Sequence, residues 1–183
     1  VGRGCLAGPV IAAAVILKSP VRGLKDSKKL SPKKRKDFRE RIMENSLFAI
    51  GSANNHEIDE INILQASLLA MQRSFENLNV EPKKILVDGT HVFSTSIKIE
   101  SIVGGDNLVP SISAASIVAK VYRDKLMMEY SKEFPRYGFE KHKGYPTKFH
   151  KEMIAKYGST KIHRQTFKLS LIHISEPTRH LDI

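Results

Sequence analysis

The chain has 183 residues, 41% of them hydrophobic and 27% charged, which is enough for one globular domain with its own core. Its 30 Lys and Arg residues against 19 Asp and Glu residues give a net charge of +11, which favours a polyanionic partner; a basic surface without a partner is the alternative. The single cysteine excludes an internal disulfide and a cysteine-based metal site and indicates a reducing, cytoplasmic setting, and no apolar run is long enough to cross a membrane.

The first half of the chain is predicted to contain two strands and two helices. An apolar run over residues 8–17 favours a buried strand, and Ser31 followed by Pro32 predicts the start of a mostly charged helix. Residues 46–53 favour a second strand. Between residues 57 and 79, apolar side chains recur every three or four positions, which predicts an amphipathic helix packed on one face.

The second half continues with the same mixture of elements. Residues 83–89 and 96–103 favour two further strands, and residues 111–132 favour a long helix. A loop rich in Lys, His, Tyr and Gly follows at 137–150, and a short helix is predicted at 151–157. The pattern contains no repeat and no long linker, so it predicts one α/β domain with a mixed sheet.

The long helix carries one polar stripe. Ser113, Ser116, Lys120 and Asp124 follow one another at steps of three or four residues, while apolar residues and Tyr122 lie on the opposite face. Such a stripe indicates a wet cleft or a charged ligand. An internal ion pair between Lys120 and Asp124 is the alternative.

Two aspartates are candidates for metal-assisted phosphodiester cleavage. Asp88 ends a predicted strand, where α/β folds bind ligands, although an aspartate before a glycine is also common in plain turns. Together with Asp124 it offers the oxygen ligands that hard divalent cations prefer. Two carboxylates are too few for two metal ions, and other acids are explained otherwise: Asp59 and its neighbours by a helix dipole, Asp106 by a loop.

Basic residues surround an aromatic side chain in the loop "HKGYPTKFH". Four of its side chains are of types that contact phosphates, namely His142, Lys143, Lys148 and His150. Tyr145, between Gly144 and Pro146, is placed to stack on a base or sugar. Lys28 and Lys29 precede a predicted helix start, which also favours anions. Solvated basic segments are the alternative for both stretches.

Seven stretches of the chain, taken together, resemble the ribonuclease HII (type 2 ribonuclease H) family. In order they are "GRGCLAGPV", "DSKKLS", "EIDEINILQASLLAM", "ILVDG", "GGDNLVPSISAASIVAKVYRD", "FPRYGFEKHKGYPTKFH" and "HRQTF". The resemblance implies a ribonuclease H-like α/β fold over residues 1–168, with a mixed five-stranded sheet flanked by helices and a helical C-terminal part. Residues 169–183 resemble translated adapter read-through and are expected to be non-native or disordered.

The resemblance also implies an activity. Such enzymes hydrolyse the RNA strand of RNA–DNA hybrids and nick duplex DNA 5′ to an embedded ribonucleotide, using Mn²⁺ or Mg²⁺ and leaving 5′-phosphate and 3′-hydroxyl ends. Of the family's four metal-binding acids, two correspond to Asp88 and Asp124. The other two form an Asp-Glu pair one residue before the Gly-Arg-Gly triplet, and this sequence begins at that intervening residue, Val1. The chain is therefore expected to be an N-terminally truncated member with weak or no activity; a non-catalytic basic nucleic-acid-binding module is the alternative.

The substrate-binding residues are likewise implied by the resemblance. Backbone groups of Gly2, Arg3 and Gly4 are expected to approach the ribonucleotide's 2′-hydroxyl, and Tyr145 to stack on the deoxyribose of the next nucleotide. The remaining positions matched to the family's motifs, as phosphate-binding or supporting residues, are Lys28, Ser113, Ser116, Lys143 and Arg164. Cys5 and Thr166 replace the family's usual Pro and Ser. A monomer is expected.

Overall fold

The structure is a computed structural model that describes residues 1–24 and 30–167, so Lys28 and the tail at 169–183 lie outside it. Its elements in chain order are β1 (Val10–Leu17), α1 (Pro32–Glu44), β2 (Ser46–Ala53), α2 (Asn55–Glu76), β3 (Ile85–Asp88), β4 (Ile99–Ile102), α3 (Gly105–Leu108), α4 (Pro110–Glu133), α5 (Phe139–His142) and α6 (Lys148–Tyr157). The predicted strands and long helices are all confirmed. The single-turn helices α3 and α5 are additional.

The strands form two separate pairs. β1 and β2 are antiparallel, from Val10 opposite Ala53 to Leu17 opposite Ser46, whereas β3 and β4 are parallel. The α/β class is therefore confirmed, but the expected single five-stranded sheet is wrong for the described residues, which contain four strands in two sheets. β1 and β3 are not hydrogen-bonded to each other, and a cavity of about 460 Å³ is lined by residues of both strands.

Both faces of the first sheet are covered by helices. Val10 and Ala53 belong to an apolar cluster with buried residues of α2, while Val15 packs against a second cluster from α1 and α4. Burial on both faces explains why β1 is a continuous apolar run rather than an alternating one. At Gly51 of β2 the contact with α2 is so close that a Cβ would lie 2.1 Å from the Ala70 carbonyl oxygen.

Helix starts follow the sequence closely. The Ser31 side chain accepts a hydrogen bond from the backbone N–H of Lys34, as its predicted N-cap position requires. Helix α2 begins with a reciprocal capping box between Asn54 and Glu57. Asn62 interrupts α2 with a φ of +66°, a break that periodicity alone does not predict.

The two ends of the described chain meet. Ala7 forms a β-bridge with His163, and a third apolar cluster joins the N-terminal loop to α4 and the C-terminal segment. Asp59 of α2 accepts hydrogen bonds from the backbone N–H groups of Gln165 and Thr166, so it anchors this segment rather than only completing a helix dipole. None of the described helices is long and apolar enough to cross a membrane.

Candidate active site

The Gly-Arg-Gly triplet lies against the start of β1. Val1 forms a pair of backbone hydrogen bonds with Ile11, which holds the triplet beside the strand. Gly2 has a φ of +91°, and a Cβ on it would lie 2.2 Å from Nε of Arg123, so glycine is required there. Gly4, in contrast, is exposed and has no neighbouring atom within 4 Å of where a Cβ would stand. The turn at residues 2–4, here called the glycine turn, is therefore packed against Arg123 at Gly2 and exposed to solvent at its tip, Arg3 and Gly4.

Arg164 supports this turn from inside the protein. Its guanidinium donates to the carbonyl oxygens of Gly2 (2.7 Å), Arg3 (2.9 Å) and Gly8 (2.8 and 3.0 Å), and the residue is 0% exposed. Burial lowers the pKa of Arg164 to about 10, so it remains charged at neutral pH. Of the two roles expected for Arg164, phosphate binding or support of the site, its contacts with backbone carbonyl oxygens favour the supporting one.

Arg123 is a second buried arginine, and the sequence analysis missed it. It donates to the carbonyl oxygens of Pro9 (3.0 Å), Ala7 (3.0 Å) and Lys143 (2.8 Å), and is 0% exposed. It thus joins the N-terminal loop to the turn that carries Tyr145. A usable signal was present, since Arg123 lies four residues from both Ala119 and Met127, on the buried face of α4.

Tyr122, placed by the sequence analysis on the apolar face, is instead 44% exposed. The buried face of α4 is the one that carries Arg123. On that face Arg123 donates hydrogen bonds to the carbonyl oxygens of Ala7 and Pro9 in the N-terminal loop.

The turn at residues 143–145 packs directly on the N-terminal loop. The backbone N–H of Leu6 donates to the Gly144 carbonyl oxygen at 2.8 Å, and a Cβ on Gly144 would lie 2.5 Å from the Ala7 carbonyl oxygen. Tyr145 is 39% exposed, and the Lys120 ammonium lies 5.9 Å from the centre of its ring. The structure therefore brings the glycine turn and Tyr145 together, as the resemblance implies.

The two candidate carboxylates flank these turns. Asp88 is exposed at the end of β3, accepts a hydrogen bond from the Gly105 backbone N–H at 3.0 Å, and lines the same cavity as Arg3 and Ser116. Asp124 is largely buried and pairs with Lys120 at 2.6 Å, so the internal ion pair exists.

Each aspartate uses only one of its oxygens, Oδ1, in the hydrogen bonds of the described residues. The second oxygen of each is a hard donor of the type that Mg²⁺ and Mn²⁺ prefer. Within residues 1–24 and 30–167, however, no group of three or more His, Cys, Asp or Glu side chains is arranged to hold a metal ion. The carboxylate oxygens of Asp88 and Asp124 are thus of the type that binds a divalent cation, but two carboxylates are too few to complete the site.

The other predicted binding residues occupy varied positions. Ser113 is buried, whereas Ser116 is half-buried on the cavity wall. Lys143 is half-buried; burial lowers its pKa, and the charge of nearby Asp124 opposes that shift. His150, predicted to contact phosphate, is 0% exposed, so that prediction was wrong.

Known proteins share both the sequence and the fold of this chain. The family model described as Ribonuclease HII matches residues 1–170. The chain is 50% identical over 173 residues to a ribonuclease HII of Borrelia duttonii, covering 92% of this chain and 96% of the relative. It is 50% identical over 171 residues to one of Shewanella pealeana, covering 92% of this chain and 84% of the relative.

Solved structures of ribonucleases share the fold of this chain. The crystal structure of ribonuclease H2 from Pyrococcus horikoshii superposes with a TM-score of 0.75 at 26% identity, covering 93% of this chain and 92% of that one. The ribonuclease HII in a PCNA complex from Archaeoglobus fulgidus gives a TM-score of 0.74 at 23% identity, covering 90% and 89%. The ribonuclease H-like fold is confirmed, and the chain belongs to the ribonuclease HII family, a family of endoribonucleases.

Proposed function

We propose that this chain binds RNA–DNA hybrids and duplex DNA containing a ribonucleotide, and that its site is built to nick the strand 5′ to that ribonucleotide. The observation that carries the proposal is the packing of the N-terminal loop against the Tyr145 turn, with Asp88 on the cavity that Arg3 also lines and Asp124 paired with Lys120, whose ammonium lies near the Tyr145 ring. This arrangement joins a backbone surface, an aromatic ring and two carboxylates.

Recognition is assigned to the open tip of the glycine turn. Arg3 and Gly4 are exposed, so backbone groups there are accessible to a ribose 2′-hydroxyl, the group that distinguishes RNA from DNA. Tyr145 stands beside this turn and would stack on the sugar of the following deoxynucleotide. A hydroxyl contact next to a stacking contact selects a junction from RNA to DNA, and the net charge of +11 adds a salt-dependent attraction for the phosphates.

Hydrolysis is assigned to the carboxylate side. Water adds across the bond between phosphorus and the 3′-oxygen, which gives a 5′-phosphate and a 3′-hydroxyl. Asp88 and Asp124 would hold Mn²⁺ or Mg²⁺, which supplies stabilisation of the charge that develops on the phosphate oxygens. Lys120 Nζ lies 2.6 Å from Oδ1 of Asp124 and orients that carboxylate.

The activity of this chain is expected to be weak. Two carboxylates are fewer than the three or four that two cations require. A basic module that binds without cleaving is the second candidate, favoured by the same shortage of carboxylates. The chain is expected to act as a monomer in the cytoplasm, with the buried Cys5 remaining a thiol.

The deciding experiment offers three labelled duplexes: an RNA–DNA hybrid, DNA with one ribonucleotide, and DNA alone. The chain is assayed as it stands and with a strand carrying an Asp-Glu pair placed before Val1, each with Mn²⁺, Mg²⁺ or a chelator. We expect selective binding by the chain, and metal-dependent cleavage 5′ to the ribonucleotide once the pair is added. Asp88→Asn or Asp124→Asn should abolish that cleavage, whereas Asp37→Asn, on the exposed face of α1, should not.

Each other outcome has a definite meaning. Selective binding without cleavage by the extended chain at any metal concentration would favour the binding module. Equal affinity for all three duplexes would contradict the proposed recognition. Normal cleavage by Asp124→Asn would show that the assignment of this residue is wrong.

A further inference from the structure

Three histidines gather beneath the Tyr145 turn. His150 and His163 are buried, and His142 is half-buried. The rings of His142 and His150 are stacked with centroids 4.3 Å apart, and the Phe139 ring lies within 5.8 Å of all three. None of these histidines reaches a carboxylate of the candidate site, so catalysis does not explain why they are there.

The proton on His163 can be assigned from its partners. The backbone N–H of Thr160 is a donor and points at Nδ1 of His163 at 2.8 Å, so Nδ1 carries no proton. In a neutral imidazole the proton is then on Nε2. This Nε2 lies 3.1 Å from Nε2 of His150, to which it donates.

The same reasoning continues through His150. Because its Nε2 accepts from His163, its proton is on Nδ1, which donates to the Tyr145 carbonyl oxygen at 2.9 Å. The result is a one-directional series of hydrogen bonds that starts at the backbone of Thr160, passes through two imidazoles and ends on the backbone of Tyr145.

His142 holds the neighbouring residue in a parallel way. The backbone N–H of Gly144 donates to Nδ1 of His142 at 3.1 Å, so Nε2 carries the proton and donates to the Tyr137 carbonyl oxygen at 2.6 Å. Two consecutive residues of the turn, Gly144 and Tyr145, are therefore each held by one buried imidazole.

We propose that His142, His150 and His163 form a relay, here called the histidine relay, that positions Tyr145 for recognition of the ribonucleotide junction and that works only while all three imidazoles are neutral. The role given to Tyr145 rests on the proposed function. The histidines act through the backbone of the turn and do not touch the substrate, so they are positioning residues.

The geometry leaves no place for a second proton. A proton added to Nε2 of His150 would face the N–H of His163 across 3.1 Å, and one added to Nδ1 of His142 would face the N–H of Gly144. Burial lowers the pKa of His150 and of His163 to about 4, and that of His142 below its usual value. The relay is therefore intact at neutral pH and opens in acid.

Few ionisable groups lie around the relay, and those near His142 change its pKa less than burial does. Glu140 of α5 raises the pKa of His142 and Lys143 of the turn lowers it, while burial outweighs both. The phenol of Tyr137 points away, donating to the Gly158 carbonyl oxygen at 2.8 Å. The positive charge of one protonated histidine would lower the pKa of the others, so a second protonation is less favourable than the first, and a single added proton is what breaks the series.

Two substitutions at one position separate the donor from the acceptor. In His150→Asn the side-chain amide nitrogen stands near the place of Nδ1 and can still donate to Tyr145. In His150→Gln the amide reaches the place of Nε2, where its oxygen accepts from His163, but nothing donates to Tyr145. His91→Gln, at an exposed position on the loop before β4, is the matched control.

Two measurements on the 183-residue chain test the relay without catalysis. Nitrogen-15 NMR at pH 7 should find the proton of His150 on Nδ1 and those of His142 and His163 on Nε2. The second readout is the affinity for duplex DNA with one ribonucleotide divided by that for DNA alone. Loss of one hydrogen bond corresponds to about fivefold, so His150→Gln should lower this ratio about fivefold, while His150→Asn and His91→Gln keep it.

The pH dependence of this affinity ratio distinguishes a positioning role of the histidines from a role in folding stability alone. For the wild-type chain the ratio should fall below about pH 5 while the protein is still folded, and for His150→Gln it should already be low at pH 7. A proton on Nε2 of His150, or an unchanged ratio in His150→Gln when Tyr145→Ala lowers it, would overturn the relay. A wild-type chain with the expected tautomers and no preference between duplexes would instead refute the proposed function, and the role of Tyr145 with it.

Discussion

The recognition side and the carboxylate side of the site are built in opposite ways. Around the glycine turn, Arg164 donates four hydrogen bonds and Arg123 three, all to backbone carbonyl oxygens, and both arginines are 0% exposed. Asp88 and Asp124 each have one oxygen engaged in the described residues and one left open. The donors of the first region are thus all engaged by protein carbonyl groups, whereas each carboxylate of the second region keeps one oxygen that can bind a further ligand.

The proposed function accounts for this difference. Telling a ribose from a deoxyribose depends on one hydroxyl, so the backbone that reads it must be held in place before the substrate arrives. A cation site needs open lone pairs, and satisfying them with protein donors would compete with the metal. The two regions should therefore respond differently to substitution: stability is lost on the recognition side, and metal response on the carboxylate side.

Removing Arg164 should give the largest loss of stability. Arg164→Met leaves the carbonyl oxygens of Gly2, Arg3 and Gly8 buried without their donor, which is expected to cost roughly 3–5 kcal/mol of unfolding free energy. Urea denaturation measures the loss. The control Arg136→Met, at an exposed position, should change stability by less than about 0.5 kcal/mol. Equal effects of the two variants would contradict the supporting role.

Acid should destabilise the fold through the histidine relay. His150 and His163 have pKa values of about 4 in the folded chain against 6.5 when unfolded, so the unfolded chain binds more protons between these pH values. The contribution of these two histidines to the free energy of unfolding should be constant above pH 7 and should fall below pH 6.5 by about 1.4 kcal/mol per pH unit for each histidine. Measured between pH 5 and 7, His150→Asn should show a shallower decline; a slope identical to that of the wild-type chain argues against buried neutral imidazoles.

The two glycines of the triplet should differ in stability and in binding. Gly2→Ala combines a positive φ with a Cβ 2.2 Å from Arg123, a side chain fixed by three hydrogen bonds, and should cost about 1–3 kcal/mol. Gly4→Ala meets no atom within 4 Å and should leave the melting temperature almost unchanged. Its effect should appear in weaker binding of the ribonucleotide-containing duplex. If Gly4→Ala binds normally, the open tip is not the recognition surface.

The carboxylates should have the smallest effect on stability. Asp124→Asn loses an ion pair within one helix, worth about 0.3–0.5 kcal/mol, and Asp88→Asn keeps an oxygen for the N–H of Gly105. Both should instead remove the stabilisation that added Mn²⁺ confers on the wild-type chain, as measured by thermal denaturation. Lys120→Met, which removes the partner and keeps the carboxylate, should retain a response to Mn²⁺.

Local patterns were sufficient for the elements of the fold. The three- and four-residue spacing of apolar side chains predicted α2, and a stretch rich in small and apolar residues predicted α4. Ser31 and Pro32 placed the start of α1, and continuous apolar runs predicted β1 and β3. Each of these features is a property of neighbouring residues, so it is readable from the chain. Serial motifs likewise identified the family, since their order and composition do not depend on three-dimensional contacts.

What the sequence by itself determined, then, is the order of elements, the family and the candidate carboxylates. Only the tertiary structure decided which polar side chains face inward. The sequence patterns place Arg164 and His150 among basic residues that contact the substrate and do not single out Arg123. All three side chains are buried. The physical reason is that a buried cation or imidazole is tolerated only where donors and acceptors meet it. Each of the two arginines donates to a carbonyl group more than 100 positions away in the chain. His150 pairs with a histidine 13 positions away.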